Sequence, residues 1–191
     1  MRRIEVPDFI KGLIFDCDGT LVDSMPFHMK AWEHVITLNG GLWDVGFFAS
    51  VKGMPEEDIV DLYNAKFSTK LDPVEVVREK HRFFRTHALE LNPIPHVLDV
   101  VYKYRDKLPM AVVSGGVREI VHMELEALHI KDCFKAILTA DDGIKPKPAP
   151  DIFLEAAKRI GVAPEQCQAF EDGDLGLEAA RLAGMIATDV R

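Results

Sequence analysis

The sequence predicts an α/β protein, a doubly wound parallel sheet with a helical cap inserted after its first strand. Three observations carry this. From residue 96 to the end, short apolar runs alternate with amphipathic stretches, as the strands and crossover helices of a parallel sheet do. The first apolar run, residues 12–16, is separated from these by a long block with helical spacing only. Polar clusters follow the apolar runs, and open α/β sheets bind ligands beyond the carboxyl ends of their strands.

Gly12-Leu-Ile-Phe-Asp16 reads as a buried strand leading into Cys17-Asp18-Gly19-Thr20. A strand's side-chain period of two sends Asp16 and Asp18 to one side and Cys17 to the other. Two carboxylates this close both stay ionised most readily around a cation, and a hard, oxygen-ligated ion such as Mg²⁺ suits them. The pair points to phosphoryl transfer, one acid as nucleophile and the other as proton donor and acceptor. A competing reading exists: Asp18-Gly19 between Leu13–Phe15 and Leu21–Val22 is also a hairpin signal.

Asp23-Ser24 and Pro26 open a helix carrying Phe27, Ala31, Trp32, Val35, Ile36 and Leu38, which Gly40-Gly41 ends. Residues 55–67 and 73–91 read as two more helices, each with proline first. Asn92-Pro93-Ile94-Pro95 then looks like an exit hinge, giving a core of residues 1–23 and 93–191 and a cap of residues 24–92. The remainder reads as helix 96–107, strand Met110–Val113, helix 117–128, strand Ala136–Thr139, a loop at Asp141–Pro150, and a helix to Ile160. Strand Cys167–Phe170, helix 174–183 and strand Met185–Val190 follow.

Three further clusters fall just after strands. The Ser114 hydroxyl and the glycine amides after it, Gly115 first, can hold phosphate oxygens, although a serine N-cap with a glycine turn would look the same. Lys147, within Lys145-Pro-Lys147-Pro-Ala-Pro150-Asp151, can place an ammonium against phosphate and carboxylates, the alternative being a solvated proline-rich loop. Glu171 and Asp172 offer more hard oxygen ligands, or form a simple Asp-Gly turn. Four unrelated turns have no reason to supply nucleophile, anion donor, cation and metal ligands in that order.

With 48% hydrophobic and 28% charged residues among 191, the chain is of ordinary globular composition. A formal net charge of −8 disfavours nucleic acid and anionic membrane as partners. Cys17, Cys133 and Cys167 are odd in number and widely spaced, which suggests reduced thiols, no disulfide framework and no zinc site. No signal peptide pattern and no run of about 18 apolar residues stands out. A cytoplasmic, soluble protein is expected.

These motifs resemble those of the haloacid dehalogenase superfamily, as Asp16-Cys-Asp-Gly-Thr20, Ser114, Lys147-Pro-Ala-Pro-Asp151 and Glu171-Asp172. Within it the chain is similar to the β-phosphoglucomutase-like branch, and most to small bacterial sugar phosphatases of the fructose-1-phosphatase type. The resemblance implies a Rossmann-like core, attack of Asp16 on phosphorus to form an aspartyl-phosphate, and Asp18 as acid and then base. It implies Mg²⁺ on the Asp16 carboxylate, the Asp18 backbone carbonyl and Asp172, with Glu171 bound directly or one layer out. It adds Thr20 and Gly115 beside the phosphate, and His28, Lys52, Gly53 and Lys80 as cap residues toward the substrate. The substrate implied is a small phosphorylated sugar, and the chain would act as a monomer or weak homo-oligomer. Where the mutase branch carries an arginine for a second phosphate, this sequence has Glu56, whose charge would repel it. That favours a phosphatase over a mutase. A non-catalytic protein that binds a phosphorylated metabolite is a third reading, which both aspartates disfavour. The other histidines (34, 81, 87, 96, 122, 129) show no ligand spacing.

Overall fold

Gly12–Phe15 (β1) lies at the middle of a five-stranded, wholly parallel sheet. The structure is a computed structural model that describes residues 4–51, 54–87 and 90–191. On one side of β1 come Met110–Val113 (β2) and then Ala136–Leu138 (β3); on the other, Cys167–Glu171 (β4) and Ile186–Asp189 (β5). β1, β2 and β4 are buried along their whole length, which suits the apolar sequences of β1 and β2, while β4 also buries Gln168 and Glu171.

The helices of this unit are Pro95–Tyr104 (α5), Arg118–Ala127 (α6), Asp151–Ile160 (α7) and Asp174–Leu182 (α8). α7 packs on β1, β2 and β3, and α8 on β4 and β5. Ile152, Phe153, Ala156 and Ile160 of α7 close over Ile14, Ala111, Val113 and Leu138. The alternate residues turn to the opposite face, where Phe15 and Phe170 stack with ring centroids 4.5 Å apart.

Both edges of β1 are occupied, so the hairpin reading of Asp18-Gly19 fails. Leu21 and Val22 do not pair back onto β1. Instead the amides of Thr20, Leu21 and Val22 all donate to the Cys17 carbonyl, at 3.2, 2.9 and 3.1 Å, and Gly19 donates to Val22 O at 2.7 Å. Gly19 makes this tight loop with φ +81°, and a Cβ there would overlap the Asp172 carboxylate.

The chain divides into two compact units, Met1–Ser24 with Leu91–Arg191 and, separately, Met25–Glu90. The second unit contains Met25–Leu38 (α1), Val45–Ser50 (α2), Glu56–Phe67 (α3) and Pro73–His87 (α4). α4 packs against both α1 and α3 around Trp32, Val35, Phe48, Tyr63 and Val76. α2 is not foreseen by the sequence pattern: six residues are too few to show a helical period. It is set by Asp44, whose side chain accepts from Phe47 N at 2.9 Å as an N-cap. No helix among the described residues is long and apolar enough to cross a membrane.

Candidate active site

Register brings the acids together. Phe15 pairs with Phe170 across β1 and β4, so Asp16 follows β1 beside Glu171, and the Asp16 amide donates to Phe170 O at 3.0 Å. Phe15 also pairs with Val112, which sets Ser114 past the same end of the sheet. Carboxylate oxygens of Asp16, Glu171 and Asp172 all lie within 4.8 Å of one another.

Between two of these acids sits Lys147. Its Nζ donates to Asp16 Oδ1 at 2.6 Å, lies 2.5 Å from Glu171 Oε1, and reaches Val113 O at 3.3 Å. Lys145, the other lysine of the loop, has a largely exposed side chain whose nearest acid is Asp151, 4.0 Å away. Burial alone would lower the Lys147 ammonium's pKa, but Asp16 and Glu171 reverse that and hold it above the ordinary lysine range. Asp16 goes the other way. Burial first and the Glu171 charge second push it well above the usual carboxylate range, with Lys147 opposing. Three carboxylates thus gather around one ammonium. That donor set, all hard oxygen, fits a divalent cation.

Asp18 belongs to a different set of contacts. Ser24, buried, donates from Oγ to Asp18 Oδ1 at 2.6 Å, and Ser114 Oγ lies 3.4 Å from Asp18 Oδ2. Ser114 Oγ in turn accepts from Gly116 N at 2.9 Å, which fixes its rotamer. Thr20 Oγ1 stands 3.5 Å from Asp172 Oδ1. Asp16, Asp18, Thr20, Ser114, Lys147, Glu171 and Asp172 therefore gather at one sheet edge, with Gly115 directly after Ser114.

Sequence reasoning passed over Ser24, read only as a helix entry, and Glu124 of α6. Glu124 is fully buried, accepts from the Cys17 thiol at 3.3 Å and has a carboxylate oxygen within 4.8 Å of one from Asp18. Its signal was an acid on the apolar face of α6, beside Val121 and Leu125.

The helical unit holds its own charged cluster. Lys80, buried on α4, is paired with Glu56 and has Nζ 3.1 Å from His28 Nδ1. His81 Nε2 lies 2.7 Å from the other Glu56 oxygen. Burial would raise Glu56, yet Lys80 and His81 together hold it down to about 2. Glu56 thus neutralises Lys80, and His81 belongs to a network that its spacing did not announce. Lys52 and Gly53 lie outside the described residues.

Comparison with known proteins agrees with this geometry. A family model described as haloacid dehalogenase-like hydrolase matches residues 10–184. The chain is 41% identical over 181 residues to fructose-1-phosphate phosphatase YqaB of Escherichia coli, covering 94% of this chain and 96% of that one. It is 30% identical to β-phosphoglucomutase of Bacillus subtilis, over 95% of this chain and 83% of that protein. Among solved structures, β-phosphoglucomutase from Clostridium difficile superposes with a TM-score of 0.79 at 26% identity, covering 94% of this chain and 84% of that one.

Proposed function

The chain belongs to the haloacid dehalogenase-like hydrolases and is a phosphoric monoester hydrolase, and we propose that it dephosphorylates a small sugar phosphate such as fructose 1-phosphate through a phosphorylated Asp16. The observation that carries this reading is the Lys147 ammonium lodged between the Asp16 and Glu171 carboxylates at the strand ends. A lysine so paired is no base. Its charge favours the ionised, nucleophilic form of Asp16 and offsets repulsion as the phosphate dianion approaches.

In this mechanism an Asp16 oxygen bonds to phosphorus while the bond from phosphorus to the sugar oxygen breaks, and Asp18 gives that oxygen its proton. Water then yields a proton to the Asp18 carboxylate and attacks phosphorus, which frees Asp16 and releases inorganic phosphate. The Ser114 hydroxyl and the Gly115 amide supply donors to the phosphate oxygens, with Thr20 nearby. The fitting cation is Mg²⁺, which Asp16 and Asp172, Glu171 directly or one layer out, and the Asp18 backbone carbonyl would hold. When bound, it supplies the positive charge that lets carboxylates and phosphate share one site.

The cap cluster supports hydrolysis over return of the phosphoryl group. Lys80 is already neutralised by Glu56, which leaves little positive charge there for a second phosphate. Three free cysteines support a reducing, cytoplasmic setting. The test is turnover of a panel of phosphorylated sugars, ranked by kcat/KM, with Mg²⁺ and with EDTA. Acid-quenched protein should carry one phosphoryl group on the peptide containing Asp16. No Mg²⁺-dependent turnover would overturn the reading, and glucose 6-phosphate formed from β-glucose 1-phosphate would replace it with a mutase.

A further inference from the structure

Among the described residues of the sheet unit, Glu124 is the one buried acid that the mechanism above leaves without a task, and its surroundings are specific. It lies on the inner face of α6 among Ile120, Val121 and Leu125, with no exposed surface. A leucine there would bury the same volume at no desolvation cost, whereas a buried carboxyl is costly unless it is hydrogen-bonded. Oε2 accepts from the Cys17 thiol at 3.3 Å, and Oε1 has no hydrogen-bond partner among the described residues. A Glu124 oxygen also lies within 4.8 Å of an Asp18 oxygen. Burial first, and the Asp18 charge second, push Glu124 well above the usual carboxylate range. Burial likewise keeps Cys17 a thiol, which suits a donor. Glu124 thus meets the Asp16-Cys17-Asp18 segment at two places, accepting from the Cys17 thiol and lying beside the Asp18 carboxylate.

We propose that Glu124 is a positioning residue for the proton-transferring Asp18: from the floor of the site, with Ser24 and Ser114 from the flanks, it fixes the carboxyl that protonates the leaving oxygen. The proposal rests on the proposed role of Asp18, and its test separates the two. The leaving group is the lever. An alkoxide leaving from fructose 1-phosphate needs a well-placed proton, whereas the phenolate of p-nitrophenyl phosphate leaves with little help. kcat/KM reports steps up to the first phosphoryl transfer, so it isolates the acid.

For Glu124→Leu, kcat/KM on fructose 1-phosphate should fall roughly 10- to 100-fold, part of what a placed general acid contributes, and on p-nitrophenyl phosphate less than about 3-fold. Glu124→Gln, whose amide can both donate and accept, should restore fructose 1-phosphate activity to within about 3-fold of wild type. Glu124→Met serves in place of the leucine variant if that one fails to fold. An equal fall on both substrates would mean that Glu124 merely supports the fold, and no fall on either would mean that it does nothing for Asp18; each overturns the proposal. If Asp18→Asn shows no leaving-group dependence of its own, it is the role of Asp18 that is wrong, and the inference falls with it.

Discussion

Replacing Gly176 by alanine should separate stability from catalysis. Gly176 is buried in the first turn of α8, and an added Cβ would overlap the carboxyl carbon and both oxygens of Glu171. Glycine to alanine inside a helix is worth up to about 1 kcal/mol of stability. That gain comes only if the Glu171 side chain swings out of the way, and doing so takes it from the Lys147 ammonium 2.5 Å away. A hydrogen bond to a charged group is worth about 1.5–3 kcal/mol, so stability should change little or fall by about 2 kcal/mol at most. Where the same contact holds the site in its reactive arrangement, its loss costs roughly 10- to 150-fold in kcat/KM, at about 1.4 kcal/mol per tenfold. Urea unfolding followed by circular dichroism, together with p-nitrophenyl phosphate turnover, reads both quantities. The reasoning has its own control in Glu171→Gln: combined with Gly176→Ala, the losses should not add, because both act on one contact. A Gly176→Ala enzyme with kcat/KM within twofold of wild type would refute the argument, since the overlap leaves Glu171 no room to stay.

Three other perturbations test different parts of the charge arrangement. Asp16→Asn should abolish measurable turnover while the urea midpoint stays put, because Lys147 keeps Glu171 as partner; activity within tenfold of wild type would remove Asp16 from its role. Lys147→Met leaves Asp16 and Glu171 buried without their shared ammonium and should destabilise by about 3–5 kcal/mol, the range for breaking a buried ion pair, measured in the presence of EDTA. In the helical unit, Glu56 is held down to about 2, below the unfolded value near 4.3, so its contribution is complete above that value and is lost as pH falls from about 4 toward 2. The loss amounts to about 3 kcal/mol for a shift of roughly two units. Wild type should therefore lose more stability than Glu56→Gln between pH 7 and pH 2.5, and parallel curves for the two proteins would count against the pairing.

What could be read from the sequence, and what could not, divides along one physical line. Asp16, Ser114, Lys147, Glu171 and Asp172 each follow an apolar run or its crossover loop. A parallel sheet carries the ends of its strands to one edge whatever the helices do, so local pattern was enough to gather them. Lys147, unlike Lys145, stands directly before the Pro148-Ala-Pro150-Asp151 run. The residues missed depend on packing between elements. Ser24 lies six residues after Asp18, and only the loop wrapped on the Cys17 carbonyl brings its hydroxyl to that carboxylate. His81 reaches Glu56 because α3 packs on α4, a contact with no local spacing to reveal it. Glu124 had a signal, an acid where the period of α6 calls for a leucine, but helical acids are so commonly solvated that the pattern passed as ordinary. α2 was lost for a simpler reason, being shorter than two helical turns.

In the proposed mechanism the two acids face opposite demands, and the structure meets each with different chemistry. A nucleophile must stay ionised. Asp16 is buried, which works against ionisation, so it is given an ammonium at 2.6 Å and a set of acids whose oxygens suit a cation. An acid that later becomes a base must change protonation state twice in each turnover without rearranging its neighbours. Asp18 is met by the hydroxyls of Ser24 and Ser114, which donate to a carboxylate and accept from a carboxylic acid with equal ease. In the proposed mechanism two aspartates at i and i+2 serve as nucleophile and proton carrier because the chain leaves the sheet just before them, at Phe15. Asp16 is left against β4 and the Lys147 loop, and Asp18 against the loop that Ser24 closes.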